Sequence, residues 1–237
     1  ADEVAQVVIE EKVNVVTTGA GNPSKYIKDW KAAGIHVIPV VASVALAKLM
    51  TRLGASALIA EGGESGGHVG ELTTMALVPQ ICDATTLPVI AAGGIADGRG
   101  FAAAFMLGAC GVQMGTRVLS AEECSIHASY KEKIIKATDL CTMVTGKRLG
   151  PPVRSLRTQF ARDYSKAEYG GMPDEELEML GNGALRLAVQ KGDDKKGCFL
   201  SGQVAAMVKQ EQPAGEIIKE VMEGAEPVLR RASQWVK

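Results

Sequence analysis

Pro88-Val89-Ile90-Ala91-Ala92-Gly93-Gly94-Ile95-Ala96-Asp97-Gly98 decides the fold. Residues 88–92 are apolar without alternation, the signature of a strand buried on both faces. Gly93 and Gly94 end the strand, and 102–107 resumes as an apolar stretch suited to a helix. A strand, a tight glycine turn and a helix make half of a βαβ unit. The pattern repeats on both sides. Runs at 13–18, 36–41, 57–60, 88–92 and 111–115 start 23, 21, 31 and 23 residues apart. Each interval has room for one helix and two turns, the βα period of a parallel sheet. Val44, Ala45, Ala47, Leu49 and Met50 supply the apolar side of one intervening helix.

After the fifth run the pattern changes. Ser120-x-x-Glu123 and Ser129-x-x-Glu132 read as capping boxes opening helices. Residues 164–183 are polar and Gly-rich, the composition of an excursion or lid. No clear strand is expected after residue 120. From Pro213 onward, Ile217, Ile218, Val221, Met222, Ala225, Val228, Leu229, Ala232 and Trp235 follow helical spacing, with Pro227 expected to break or restart the helix. The expected organisation is five βα units over 1–120, a helical excursion with a return segment over 121–212, and C-terminal helices over 213–237.

Composition sets the outer bounds. The 237 residues are 46% hydrophobic and 22% charged, an ordinary globular balance. With 26 basic and 27 acidic residues the net charge is −1, so no global field draws the chain to nucleic acid or an anionic membrane. No apolar run is long enough to span a bilayer. The five cysteines are scattered with no C-x-x-C, which reads as buried thiols in a reducing compartment; no metal site is expected. Ala1-Asp2-Glu3 offers no basic leader region, and the missing Met predicts that the chain does not begin at a natural start. The expected location is the cytoplasm.

Function gathers where strands end. In open sheets and barrels alike, ligands sit at strand C-termini. Gly93-Gly94 and Gly115-Thr116-Arg117 close two successive strands and suit a phosphate, because glycine admits close backbone approach and a following helix adds partial positive charge. The competing reading of Gly93-Gly94 is a tight turn alone, and Arg117 fits a structural ion pair as well as a phosphate. The 31-residue interval carries a long Gly-rich loop, 62–68, ending in His68. An imidazole there can donate or accept a proton near neutral pH, or be satisfied locally as a loop histidine. His36, in a buried-looking strand, and His127, before a capping box, read as structural. Lys147, Arg148, Arg154, Arg157 and Arg162 form a basic run with no acid until Asp163, fit for an acidic partner or an ordinary solvated face. The P-loop, H-E-x-x-H and G-x-S-x-G motifs are missing, and Gly19-Ala20-Gly21 lacks the third glycine of a dinucleotide fingerprint.

The stretches VVTTGAGNPSKY (15–26), IPVVASVALAKLM (38–50), IAEGGESGGHVGELTTM (59–75), PVIAAGGIADGRG (88–100), GVQMGTR (111–117) and SGQVAAMV (201–208) carry a strong resemblance. The sequence resembles the flavin-dependent enoyl-acyl carrier protein reductase II family, within the nitronate monooxygenase-like superfamily. Ala42 stands where that family suggests Pro, and Gly63 where a larger residue is common. The resemblance implies an α/β fold, a (β/α)8 TIM barrel from which the first three or so βα units are missing here. It implies FMN as cofactor, NADH or NADPH as co-substrate, and reduction of the trans-2 double bond of an enoyl-acyl carrier protein. His68 is then the catalytic residue. Gly93, Gly94, Gly115 and Thr116 hold the FMN phosphate, while Glu61, Gly66, Gly67 and Gln113 line the rest of the flavin pocket. Ser201, Gly202 and Gln203 return to the active-site mouth. A homodimer is implied too. Two other functions fit: a nitronate monooxygenase using the same histidine as a base, and a non-catalytic barrel fragment.

Overall fold

The computed structural model describes residues 1–232 and 234. The chain divides into two compact units, the first holding Ala1–Gly63, Glu71–Ala92 and Ala104–Gln113, the second Glu64–Gly70, Gly93–Ala103 and Met114–Lys237.

The first unit is a parallel sheet with helices. Its strands are β1 (Val15–Thr18), β2 (His36–Val41), β3 (Leu58–Glu61), β5 (Val89–Ala92) and β6 (Gly111–Gln113), hydrogen-bonded in the order β1-β2-β3-β5-β6. Its helices are α1 (Asp2–Glu10), α2 (Ser24–Ala32), α3 (Val44–Leu53) and α4 (Thr74–Ala84). Val37, Val41, Leu58, Ala60 and Ala91 from the strands, with Met50, Leu77, Val78 and Ile81 from α3 and α4, are fully buried. Helix α3 forms where its apolar spacing predicts. Ser43 caps it by accepting from the Leu46 N–H at 3.2 Å, and Gly54 ends it at φ +89°, where a side chain would be strained.

Burial on both faces holds for β3 and β5, weakens in β2, whose residues alternate buried and half-buried, and fails at the flanks. β1 alternates exposed and half-buried residues, Val15 being 47% exposed, and β6 contains no buried residue. Both flank the sheet and so have one neighbour each. His36 is exposed rather than buried, its Nδ1 3.2 Å from Ser56 Oγ. The thiols are also less buried than expected. Cys110, ahead of flanking β6, is exposed, and the other four are half-buried.

The second unit contains strands where none was expected. β4 (Gly67–His68) pairs antiparallel with β8 (Val153–Leu156), which pairs antiparallel with β7 (Thr142–Thr145). Arginine and threonine in a short hairpin lack the apolar run that marks the parallel strands. Its helices are α5 (Gly98–Met106), which the division cuts after Ala103, then α6 (Ala128–Ile135), α7 (Gln159–Tyr169), α8 (Asp174–Gly181), α9 (Ala184–Arg186) and α10 (Ala214–Ala232). Much of 164–183 is thus α7 and α8. A core of Tyr130, Ile134, Leu156, Ala188, Phe199 and Val208 holds the hairpin against α6 and the 199–208 segment. The Tyr130 and Phe199 rings meet edge to face at 4.9 Å, and Tyr130 Oη donates to the Leu200 carbonyl at 2.6 Å.

Three local expectations need correction. Ser120 opens no helix; it ends a 3₁₀ turn, Thr116–Ser120, and its hydroxyl donates to the Arg117 carbonyl. Ser129 lies inside α6, which His127 caps by accepting the Ser129 N–H on its ring. Pro227 does not break α10, because Ile217, Val221 and Ala225 bury one face through the preceding turns. The Arg230–Glu226 pair continues beyond it. Trp235 lies outside the described residues. At the start of α5, a Cβ on Gly98 would stand 2.2 Å from the Gly224 carbonyl carbon, so α10 backbone packs against bare glycine.

Candidate active site

In the first unit Glu61 pairs with Ala92, and Ala92 with Gln113, so three strands end in one row. Gly62 follows. Its N–H donates to the Ala92 carbonyl at 2.9 Å, and a Cβ there would stand 2.3 Å from the Thr74 nitrogen. Thr74 Oγ1 also donates to Ala92 O, at 3.3 Å. Sequence reading passed over this threonine, though it stands in the quoted 59–75 stretch. Glu61 and Gln113 belong to this unit; the other expected site residues belong to the second.

There, three distant segments come together. The Gln203 N–H donates to Glu64 O at 2.9 Å, and the Gly202 N–H donates to Thr116 Oγ1 at 2.8 Å. A Cβ on Gly66 would lie 2.6 Å from Ser201 C, and one on Gly202 would lie 2.7 Å from Glu64 O. Segments 64–66, 115–116 and 201–203 are therefore packed backbone to backbone. Gly93 and Gly94 sit in the left-handed region at φ +88° and +72°, with Glu64 Cβ 3.4 Å from where a Gly94 Cβ would lie. Gly115 has nothing within 4 Å of a virtual Cβ.

This geometry fits a bound phosphate. Left-handed glycines turn successive N–H groups to one side, and the first N–H groups of the 3₁₀ turn have no partner within it. The space at Gly115 is open. The buried Thr116 hydroxyl accepts the Gly202 N–H, so of this residue it is the N–H at the head of the turn that could reach a phosphate. Ser201 is buried and donates to Gly202 O at 3.3 Å, so within the return segment Gln203 is the exposed member. Arg117 takes no part. Its guanidinium is buried against Gln212 at 2.6 Å, Glu220 at 3.1 Å and Ser120 at 3.3 Å, which resolves it as a structural ion pair.

Left-handed Gly67 (φ +80°) opposes Arg154, and His68 opposes Val153. His68 is exposed and lines a cavity of 260 Å³ with Thr145, Val153, Phe160, Tyr164, Leu185, Cys198 and neighbours. Burial pushes the Tyr164 phenol and the Cys198 thiol up, so both walls are neutral at physiological pH. Arg154 Nη1 donates to Thr142 Oγ1 at 3.2 Å; burial lowers its pKa and the charge of Glu64 opposes that shift.

The basic run does not stay together. Arg148 is tied to the Glu168 carbonyl at 2.6 Å, to Met172 O and to Asp174 at 3.0 Å. The buried Glu168 carboxylate accepts the N–H groups of Gly146 and Arg148. Arg157 and Arg162 instead line a groove of 660 Å³ with Lys133 and Lys136, two lysines the sequence reading did not group with them. Among the described residues no helix is long and apolar enough to cross a membrane.

The parallel strands of the first unit define an α/β scaffold of a class that gathers functional groups at its strand ends, and the second unit carries a histidine on a short strand beside a cavity. The chain belongs to the nitronate monooxygenase family, whose model matches residues 2–224. The family comprises flavin oxidoreductases with a TIM-barrel fold. Among solved structures, FabK from Thermotoga maritima is 49% identical over 100% of this chain and 75% of its own, with a TM-score of 0.97. A carboxyl-CoA dehydrogenase of an octahydroindene substrate from Rhodococcus jostii is 42% identical over 151 residues, 64% of this chain and 43% of that protein. A probable nitronate monooxygenase from Staphylococcus saprophyticus is 34% identical over 97% of this chain and 68% of that protein.

Proposed function

We propose that this chain forms the FMN-phosphate and histidine-bearing part of an FMN-dependent enoyl-acyl carrier protein reductase that uses NADH or NADPH. The observation that carries the reading is the likeness to FabK along the whole chain at 49% identity. It agrees with the reductase motifs at 15–26 and 59–75.

The residues fit FMN. N–H groups at Gly93, Gly94, Gly115 and Thr116 would hold its phosphate, with Gly66 and Gly67 at the pocket edge; the family resemblance also assigns Glu61 and Gln113 to the flavin. The chemistry FMN supplies when bound is two-electron transfer, hydride received from nicotinamide and delivered to the enoyl β-carbon. His68 orients the thioester carbonyl by a hydrogen bond or gives the α-carbon its proton. Acyl carrier protein and a homodimeric state belong to the same proposal.

The test has two arms. Flavin-loaded protein is mixed with NADH or NADPH and butenoyl-pantetheine, and nicotinamide oxidation is followed at once. In the second arm an alkyl nitronate is supplied and oxygen uptake is measured. Thioester-dependent oxidation supports the reductase. Oxygen uptake alone would transfer the reading to a nitronate monooxygenase, which the family model and the Staphylococcus relative favour; His68 would then act as a base only toward a parent nitroalkane, taking the α-proton that a nitronate has already lost. A preparation that binds no flavin would leave only the non-catalytic reading.

A further inference from the structure

The 660 Å³ groove of the second unit takes no part in the site described above. Lys133 and Lys136 line it from the end of α6, Leu140 from the segment before β7, and Arg157, Gln159 and Arg162 from around the start of α7. Four cations face one trough, and the two carboxylates among its walls are spent on the lysines. Lys133 pairs with Asp194 at 2.9 Å and Lys136 with Glu132. Neither guanidinium is paired with a carboxylate among the described residues. Arg157 donates to the Thr142 carbonyl at 3.2 Å and Arg162 to the Arg157 carbonyl at 3.0 Å, so each fork keeps N–H groups for a partner. On a chain of net charge −1 this is a local positive field. Leu140 adds a second component. It is 76% exposed, a large apolar side chain standing in water beside the cations. An apolar anchor with a charged rim is the make-up of a protein-docking surface, whereas a free phosphate has no use for the leucine.

Position ties the groove to His68. Val153 lies opposite His68, and Leu156, three residues further along β8, lines the groove, a rise of about 10 Å. Helix α7 stands between the two spaces: Gln159 and Arg162 face the groove, Phe160 and Tyr164 the cavity beside His68. A pantetheine arm of roughly 13 bonds spans about 16 Å when extended, which covers that rise. We infer that this groove is the docking surface for the acidic face of the acyl carrier protein, Arg157 and Arg162 taking its carboxylates and Leu140 its apolar contact. The inference rests on the reductase reading above.

The test titrates flavin-loaded protein by calorimetry with hexanoyl-carrier protein, a saturated thioester that binds without turning over, and separately with hexanoyl-pantetheine. Lys136→Glu combined with Arg162→Glu should weaken carrier binding about tenfold or more at low salt, because like charges then face each other. Leu140→Asp should weaken it as well, and it carries the test alone if the double variant does not fold. Lys195→Glu with Lys196→Glu is the control. Those lysines line a separate groove on α7 and α8, and their reversal should change carrier affinity by no more than about twofold. Hexanoyl-pantetheine should bind all folded variants alike. Unchanged carrier affinity in the folded groove variants overturns the inference, as does an equal loss in the control. A matching loss with 4′-phosphopantetheine alone also overturns it, since the groove would then be a phosphate site. The outcomes separate the two readings. Nicotinamide oxidation with enoyl thioesters, but carrier affinity indifferent to the groove, refutes the docking surface and leaves the reductase. Groove-dependent carrier binding without any such oxidation refutes the reductase and leaves a carrier-binding surface.

Discussion

Replacing Gly66 with Ala tests how the histidine-bearing loop is held. The new Cβ would lie 2.6 Å from Ser201 C, 2.7 Å from Gly202 N and 2.8 Å from Ser201 Cα. All three are backbone atoms, so no rotamer change relieves the overlap. Ordinary contact begins near 3.4 Å, and one segment must retreat by most of an ångström. That retreat strains the 2.9 Å bond from Gln203 N–H to Glu64 O and the 2.8 Å bond from Gly202 N–H to Thr116 Oγ1. Overpacking of this kind costs about 1–3 kcal/mol, and a lost hydrogen bond adds about 1 kcal/mol. For a chain of this size each kcal/mol lowers Tm by about 2–4 °C. A fall of roughly 4–16 °C is expected in thermal unfolding followed by circular dichroism without added flavin. Gly115→Ala is the contrast. Its φ is −101° and nothing stands within 4 Å of the added methyl, so Tm should hold to within about two degrees. Flavin affinity, titrated by FMN fluorescence quenching, should nevertheless fall at least tenfold, because the methyl enters the space assigned to phosphate. A Gly66→Ala protein melting with the wild type would refute the backbone packing, and unchanged FMN affinity in Gly115→Ala would refute the phosphate assignment.

His68→Ala should lower turnover of enoyl thioester about 10²–10⁴-fold while flavin content stays near wild type; equal rates would reduce His68 to a loop residue. Gly94→Val should lose both flavin and stability, since a β-branched residue at φ +72° is strained by more than about 1 kcal/mol; a wild-type Tm would contradict the left-handed assignment. Charge reversal of Arg157 and Arg162 should raise KM for carrier-bound substrate several-fold and leave the pantetheine thioester unchanged, with the difference shrinking in high salt. Equal effects on both substrates would place the damage elsewhere. Arg148 is the wrong residue for that experiment, because it anchors the Glu168 turn.

The parallel strands were legible because burial on both faces writes an unbroken apolar run, as in 88–92, and a glycine pair marks its end. The hairpin β7–β8 was not. Thr142, Arg154 and Ser155 form a ladder through backbone bonds that composition does not announce, and β4 is only two residues long. The same limit explains the capping errors: Ser-x-x-Glu records a local possibility, whereas His127 and the 3₁₀ turn at Thr116 follow from contacts far along the chain. Glycines 66, 67, 93 and 94 stood out in sequence, and two distinct physical demands account for them. Gly66 is needed for close backbone approach, and the other three for left-handed φ. The return of 201–203 to Glu64 and Thr116 came from family resemblance alone, since no spacing rule links residues so distant. Basic residues misled most. Charge adjacent in sequence was divided in space among a buried turn, the sheet and a groove.

The surroundings of His68 bear on which headgroup it meets. A nitronate is an anion and is stabilised by a neighbouring cation or a cluster of N–H donors. The cation nearest in register is Arg154, one position from the His68–Val153 pair, and its guanidinium already bonds Thr142 and lies in the field of Glu64. Drawing it to an anionic substrate would give up those interactions at a half-buried site. A thioester is neutral before reduction and makes no such demand, asking only a hydrogen bond at its carbonyl and apolar surface for its tail. His68 offers the first and the cavity behind it the second. On the reductase reading proposed above, the charge at this wall suits a neutral acyl substrate, and an Arg154→Gln protein that still oxidises an alkyl nitronate at the wild-type rate would remove Arg154 from the argument.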